Sequence, residues 1–154
     1  MTLRTKTVAF IMMAAAYPTL LLADLPQILI PITGVPVDIQ GEWQVTELRD
    51  GDTGNFSVID PTEPEMTISF GDGTFGLSAR CNAIFGDIFA RDGRHQVVGK
   101  MFSSMKLCPE EQDQQEKRLW QAFPEKGHYH RVGDFLYLFD KNGELAIALT
   151  IYSK

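Results

Sequence analysis

Two histidines, His128 and His130, are the residues of this chain whose type and spacing best suit a metal site. Residues two apart on a β-strand point to the same side, so the two imidazoles would share a face. A zinc site needs at least a third protein ligand, which Glu125 or Asp134 could supply, although nothing in the spacing selects either of them. We therefore interpret the pair as exposed strand histidines, predict no metal, and keep metal binding as the alternative.

The sequence contains no familiar motif of catalysis or cofactor binding. None of its serines lies in a Gly-x-Ser-x-Gly pattern, and it has no HExxH motif, phosphate loop or dinucleotide fingerprint. The paired acids Glu63/Glu65 and Glu110/Glu111 are explained as solvated charges, and the second pair complements the dipole at the start of a helix. We predict that the protein is not an enzyme and holds no cofactor.

Cys81 and Cys108 are the two cysteines of the chain. In an oxidising compartment a disulfide is the simplest interpretation, and it would close a loop of about 27 residues and contribute roughly 3–4 kcal/mol. The alternative is a reactive thiol, which the neighbouring cations Arg80 and Lys106 would favour. Asn82 tolerates a left-handed backbone and hydrogen-bonds its own turn, so we expect it to hold the loop that presents Cys81.

The overall composition limits the classes of protein to which these residues can belong. The chain has 154 residues, 14 basic against 20 acidic side chains, and a formal net charge of −6. This length fits a single domain, and 44% hydrophobic with 22% charged residues is typical of a globular protein. The acidic balance argues against nucleic-acid binding, because phosphate contacts need a basic surface.

The first 23 residues have the layout of a secretory signal peptide. They contain Arg4 and Lys6 but no acid, then an apolar run, and they end at Ala23 just before Asp24. We predict cleavage after Ala23, with Ala16 as a second candidate position, and therefore a periplasmic or secreted protein. Because no cysteine lies near either position, we expect no lipoprotein anchor.

The alternative is that residues 1–23 are retained as a membrane anchor. A spanning helix needs about 20 continuous apolar residues, whereas this stretch is interrupted at Pro18, Asp24, Pro26 and Pro31. Residues 24–37 then form a Pro-rich apolar lead-in. We interpret its Leu25–Pro36 part as an extended spacer or as a segment packed on the domain.

From Gly41 onward, short runs of alternating apolar and polar residues are separated by turn signals. Such runs predict β-strands, and the glycine-containing turns at 71–73 and 91–94 predict hairpins. The predicted strands are Trp43–Leu48, a short one at Ser57–Ile59, Met66–Phe70, Thr74–Ala79, Ile84–Ala90, His95–Phe102, Tyr129–Val132, Phe135–Phe139 and Leu145–Ile151.

One segment, from Pro109 to Phe123, breaks the strand pattern. It lacks β-branched residues, begins with a proline suited to the first helical position and two acids suited to a helix N-terminus, and ends before another proline. Glu116, Leu119, Trp120 and Phe123 share one face of the predicted helix. The fold class is therefore mainly β (α+β): a single antiparallel β barrel-like domain of about eight strands with one helix.

A set of residues spread over the predicted strands and the start of the helix carries a family resemblance: Gly41, Trp43, Phe70, Cys81, Asn82, Gly86, Ser104, Cys108 and Pro109. They resemble the META domain family, which includes the heat-shock protein HslJ and many exported bacterial proteins. The resemblance covers about residues 38–152, within a predicted domain at 38–154. Two positions depart from the family pattern, because Arg80 stands where glycine is usual and Lys106 where an apolar residue is usual.

The resemblance implies a compact, largely antiparallel β fold with one helix and a structural disulfide between Cys81 and Cys108. Family members have been linked to heat shock, antibiotic tolerance and motility without an established catalytic site. Together with the signal-peptide pattern, the cysteine pair and the lack of a catalytic motif, the resemblance leads us to expect a non-catalytic exported protein. We expect it to act in stress tolerance or envelope maintenance through contacts with an unidentified protein partner.

Two other functions are compatible with the sequence. Gly41 and Trp43 are also spaced as at the start of lipocalin-type barrels, so a carrier of a small apolar ligand is one alternative. That function requires a cavity of at least about 300 Å³ lined by phenylalanines. The second alternative is a small periplasmic protease inhibitor, in which the Leu25–Pro36 lead-in would enter the protease.

The chain has 10 phenylalanines, which could either fill the core or form a binding surface. A single core in a domain of this size can absorb most of them, so we expect core packing. The alternative is an apolar cavity or an exposed binding face. Those on predicted strands are Phe70, Phe75, Phe85, Phe89, Phe102, Phe135 and Phe139.

Overall fold

The structure, a computed structural model, describes residues 34–51, 53–60 and 65–152. The predicted signal peptide, its cleavage site and the lead-in as far as residue 33 lie outside the described residues. In the part of the chain that the structure describes, no helix is both long and apolar enough to cross a membrane.

The secondary structure follows the predicted order. A 3-10 helix at Val37–Ile39 precedes nine described strands and one α-helix. These are β1 (Gly41–Arg49), β2 (Phe56–Val58), β3 (Thr67–Phe70), β4 (Thr74–Ser78), β5 (Ala83–Arg91), β6 (Arg94–Ser103), α1 (Glu110–Ala122), β7 (Lys126–Val132), β8 (Phe135–Asp140) and β9 (Leu145–Ile151).

Strand β1 closes the sheet into a barrel. It pairs with β9 from Trp43 to Leu48 on one side, and on the other side with β3 through its first half and with β2 through its second half. The eight strands β1, β3, β4, β5, β6, β7, β8 and β9 therefore form a closed antiparallel ring, and β2 is an extra strand beside β1. This arrangement confirms the predicted fold class.

The interior of the barrel is filled by alternating apolar side chains. In β1 the buried residues are Trp43, Val45 and Leu48, and the change of spacing coincides with a register shift between Val45 and Glu47. One extra residue in a strand moves the following side chains to the other face, which explains why Leu48 rather than Glu47 is buried.

The helix packs on this core through a face that differs in part from the predicted one. Gln115, Leu119 and Ala122 are buried, together with Phe123 just after the last turn, whereas Trp120 is 38% exposed. The ring of Phe123 stacks on that of Phe75 in β4, with 4.9 Å between the centroids. The helix begins at Glu110, so Pro109 is its N-cap residue rather than its first helical residue.

The shortest strand pairing in the ring is the one between β6 and β7. Only Arg94–Gln96 of β6 pair with Lys126–His128 of β7, and the backbone N–H of Val97 donates to the carbonyl of Glu125 at 2.7 Å. β7 thus begins three residues before the predicted Tyr129, because its first residues take part in this short pairing. The rest of β6 pairs with β5 alone. A groove lies between the C-terminal end of β6 and α1.

Candidate functional site

The Cys81–Cys108 disulfide joins the start of β5 to the loop before α1. The two Cα atoms are 5.9 Å apart, and the bond links residues 27 positions apart in sequence. The predicted pairing is therefore present, and neither cysteine is a free thiol. The loop that it fixes, residues 104–108, has no helix, strand or turn of its own. We call these five residues the stapled loop.

Asn82 holds the stapled loop from inside the protein. Its side chain is only 8% exposed. The Oδ1 atom accepts hydrogen bonds from the backbone N–H of Lys106 at 2.8 Å and from the hydroxyl of Ser104 at 3.2 Å. The Nδ2 atom lies 3.0 Å from Cys108 Sγ. A buried amide that contacts three loop positions at once restrains that loop. We had expected Asn82 to hold the loop that presents Cys81, whereas its side chain holds the loop that carries Cys108.

Ser104 continues the pairing of β6 with β5 beyond the last strand residue. Its hydroxyl accepts a hydrogen bond from the backbone N–H of Ala83 at 3.0 Å, and its own backbone N–H donates to the carbonyl of Ala83 at 3.0 Å. The loop is therefore held at both ends, by Ser104 at its start and by the disulfide at its end.

The three middle side chains of the stapled loop, at positions 105–107, point to solvent although the loop is fixed at both ends. Met105 is 96% exposed and Leu107 is fully exposed, with the exposed Lys106 between them. Large apolar side chains on a restrained loop form a small surface for contact with another molecule. Sequence reasoning did not single out Met105 and Leu107. Their alternation between the anchored positions Ser104 and Cys108 was the signal that could have revealed them.

The two departures from the family pattern lie at this site, and the structure shows how each is accommodated. Arg80 has a φ of 67°, in the left-handed region that favours glycine. Its guanidinium lies 3.1 Å from the carboxylate of Glu65. At Lys106 the backbone makes the contacts with Asn82, so the side chain can be charged and exposed.

The motif residues at the start of the domain, Gly41 and Trp43, have structural roles. Trp43 is buried, its indole N–H donates to the carbonyl of Ile39 at 2.9 Å, and the guanidinium of Arg131 lies 5.5 Å from the ring centroid. Gly41 has a φ of 120°, which side chains rarely adopt. These contacts fix the 3-10 helix against β1.

Phe70 and Gly86 belong to the packing of β3, β4 and β5. Phe70 is buried and pairs in register with Phe75. A Cβ atom on Gly86 would lie 3.0 Å from the Phe75 ring and 3.3 Å from Met101 Cγ. A glycine at this position therefore makes room for those two side chains.

The histidine pair that we considered as an alternative metal site occupies an exposed face of β7. His128 and His130 are both exposed, and no group of three or more His, Cys, Asp or Glu side chains suited to a metal occurs among the described residues. The third histidine of the chain, His95 in β6, is buried, and its Nε2 atom lies 2.8 Å from the carbonyl of Pro124. Burial lowers the pKa of this imidazole, and the charge of His128 lowers it further.

The phenylalanines divide between the core and the surface. Phe70 and Phe75 are buried as expected, but Phe85, Phe102 and Phe135 are about half exposed, so the expected core packing is wrong for these three. Phe85 and Phe102 stack on each other on the outside of the barrel, with 5.9 Å between ring centroids.

Phe102 also lines the groove between β6 and α1, a cavity of about 420 Å³. Its volume falls in the range of ligand sites. The groove contains one of the exposed phenylalanines. The lining that the carrier alternative requires is found instead in a second cavity, of about 520 Å³, which is bordered by Phe75, Phe85 and Phe102. The walls of the groove are formed by Ile84, Met101, Phe102, Ser103, Asp113, Glu116, Lys117 and Trp120.

Comparisons with known proteins agree with the fold. The model of the META domain family matches residues 36–150. Among solved structures, an NMR structure of a protein from Burkholderia xenovorans is similar, with a TM-score of 0.56 and 14% identity over 75% of this chain and 85% of that one. A second NMR structure has a TM-score of 0.49 and 16% identity over 73% of this chain and 90% of its own. Among curated proteins, none matches the sequence.

Proposed function

The chain belongs to the META domain family, and from this premise we propose that it is a non-catalytic, exported protein that acts by binding another protein. Two features support export: the signal-peptide pattern that ends at Ala23 and the disulfide, which is typical of oxidising compartments. The mature protein would be periplasmic or secreted. Its role would be stress tolerance or maintenance of the cell envelope, in line with the processes to which the family has been linked.

The observation that carries the proposal is the exposure of Met105 and Leu107 on the stapled loop. Burying a Met or Leu side chain against a partner contributes about 1.5–3 kcal/mol. Ordering a flexible backbone would oppose this by roughly 1–2 kcal/mol for each residue. Because Asn82 and the disulfide already restrain the loop, most of that entropy is lost on folding rather than on binding.

Site-specific crosslinking in the source organism tests this proposal. A photoreactive residue at Met105 is compared with one at Val132, an exposed apolar position in β7 outside the stapled loop. We expect one discrete crosslinked product at position 105 that purified wild-type protein competes away and the double variant M105D/L107D does not. The same product at both positions, or no product at position 105, would contradict the proposal.

The proposed physiological role has its own test. Cells that lack the protein should be more sensitive to heat and to envelope-damaging detergent. The wild-type gene should restore growth, and M105D/L107D, produced at the same level, should not. Full restoration by that variant would show that the loop is dispensable for the role.

Protease inhibition is a second candidate, because the stapled loop has a feature that inhibitors need. Its exposed residues lie on a backbone fixed from behind, whereas the lead-in that we had expected to act lies largely outside the described residues. Inhibitors of this kind are pre-organised before they bind. Titration against proteases of chymotrypsin and subtilisin type should give inhibition that Asn82→Ala converts into cleavage of the loop. Unrestrained cleavage of the wild-type loop would rule this candidate out.

A further inference from the structure

The groove between β6 and α1 combines apolar walls with acidic side chains from one helix face. Ile84, Met101, Phe102 and Trp120 supply the apolar walls, while Asp113 and Glu116 bring carboxylates from α1. The volume of about 420 Å³ is enough for a small organic molecule. Phe102 and Trp120 are 58% and 38% exposed, so their rings are accessible to a molecule in the groove.

Glu116 carries one of the two buried side-chain polar atoms that have no hydrogen-bond partner in the part of the chain that the structure describes; the other is His95 Nδ1, outside this groove. The Glu116 atom is Oε2. The Lys117 ammonium, which also borders the groove, lies 2.7 Å from the carboxylate of Asp113 and is engaged there. A buried carboxylate oxygen without a donor is unfavourable, and a ligand that brought an N–H group to it would remove that cost.

The charge and the aromatic rings point to the same kind of ligand. The groove contains two carboxylates against one ammonium, and the whole chain carries a net charge of −6. An organic cation is attracted both by carboxylates and by the faces of Trp and Phe rings. An anion would meet the carboxylate of Glu116 instead, and an uncharged apolar molecule would leave its oxygen unsatisfied.

We propose that this groove is a binding site for an amphiphilic organic cation. The ammonium or similar head group would pair with the carboxylate of Glu116, whose side chain would turn to bring Oε2 into the groove, and the apolar body would lie against Met101, Phe102 and Trp120. This site is separate in its residues from the stapled loop, so it does not depend on the protein-binding function proposed for that loop.

The chain contains a built-in reporter for this binding. Trp120 lines the groove, whereas Trp43, the other tryptophan, is buried and bonded to Ile39. The probes are decylamine, decanol and decanoate, which share an apolar body and differ in head group. Decylamine and decanoate are added below their micelle-forming concentrations, and decanol below its solubility limit, while tryptophan fluorescence is recorded. We expect saturable binding of decylamine, at least about tenfold tighter than that of decanol, from one charge-assisted hydrogen bond. Decanoate should not bind.

Two variants with the same loss of charge separate a specific contact from general attraction. Glu116→Gln should weaken the binding of decylamine about tenfold and leave the binding of decanol unchanged. Glu111→Gln, at an exposed position outside the groove, should change neither. In Trp120→Phe the fluorescence response should vanish while calorimetry still detects decylamine. Equal binding of all three probes, equal effects of the two glutamine variants, or no binding of decylamine by calorimetry would overturn the proposal. Thermal melts of each variant show whether it is folded.

Discussion

The side-chain oxygen of Asn82 accepts a hydrogen bond from the backbone N–H of Lys106 at 2.8 Å, across 24 positions of sequence. This contact places a buried amide behind Met105 and Leu107, the most exposed large apolar side chains of the described residues. The same oxygen accepts from Ser104, and the disulfide partner of the adjacent Cys81 lies at the other end of the loop. The stapled loop is thus ordered by contacts on its inner side alone, which leaves its outer side chains available to a partner.

Asn82→Ala should destabilise the protein by about 1–3 kcal/mol, because it leaves the Lys106 N–H and the Ser104 hydroxyl without their acceptor. Urea denaturation gives the free energy of unfolding, and hydrogen exchange at the Lys106 amide reports on the loop itself. The control is Asn55→Ala at an exposed position, which should change stability by less than about 0.5 kcal/mol. Equal effects of the two substitutions would show that Asn82 does not hold the loop.

Cys81→Ser and Cys108→Ser should each lower the free energy of unfolding by about 2–5 kcal/mol. Both substitutions remove the same bond, so the double variant should lose no more than either single one. Thermal melting of oxidised and reduced wild-type protein provides a comparison without mutation. If the two forms melt at the same temperature, the disulfide has no structural role.

Arg80→Gly should stabilise the protein, since a side chain in the left-handed region costs roughly 1–2 kcal/mol and glycine adopts that φ freely. The substitution also removes the ion pair with Glu65, but an exposed pair of this kind contributes only about 0–1 kcal/mol. Arg80→Ala is the matched control, because it removes the ion pair and keeps the unfavourable φ. Denaturation should rank Gly above Ala by about 1 kcal/mol. An alanine variant as stable as the glycine variant, or more stable, would mean that the left-handed φ at position 80 does not cost stability.

The positions of the strands along the chain could be predicted because each strand alternates between a buried and an exposed face and is bounded by turn residues. The pattern does not always say which face is inside. Ile84 and Phe85 are adjacent apolar residues, and the structure buries the first and exposes the second. Alternation alone is compatible with either choice. This ambiguity is why the phenylalanines on the outside of the barrel were expected in the core.

The disulfide and the importance of Asn82 could also be inferred from sequence, but the stapled loop could not. Its order depends on contacts between residues 82 and 104–108, and no local pattern reports contacts over that separation. The groove is a still less local feature. It requires the end of β6 to lie beside α1, and Glu116 becomes notable only when its oxygen is seen to be buried.

Trp43→Ala should cost about 3–5 kcal/mol, because it removes a large buried side chain and its hydrogen bond to Ile39. Trp120→Ala is the control at the chain's other tryptophan, which is partly exposed in the groove, and should cost much less, about 1 kcal/mol. Urea denaturation followed by circular dichroism measures both without relying on tryptophan fluorescence. Similar losses for the two variants would place Trp43 outside the stabilising core.

His95 should make the protein less stable as the pH falls below about 6.5, the ordinary pKa of histidine. Desolvation lowers its pKa in the folded state, and the nearby His128 adds to this, while the bond to the Pro124 carbonyl acts in the opposite direction. The unfolded chain therefore takes up a proton at a higher pH than the folded protein does. The resulting stability is fully present above the unfolded pKa and is lost as the pH falls toward the folded one.

The measurement is the free energy of unfolding in urea at pH 7.5, 6.5 and 5.5. The slope from this one group is at most about 1.4 kcal/mol per pH unit. The carboxyl of Asp140 does not contribute in this window, because the backbone N–H of Glu144 lowers its pKa from an already acidic value. His95→Gln should flatten the slope, whereas His130→Gln, at an exposed position of β7, should retain it. A wild-type protein equally stable at pH 7.5 and 5.5 would show that His95 is not protonated differently in the folded and unfolded states.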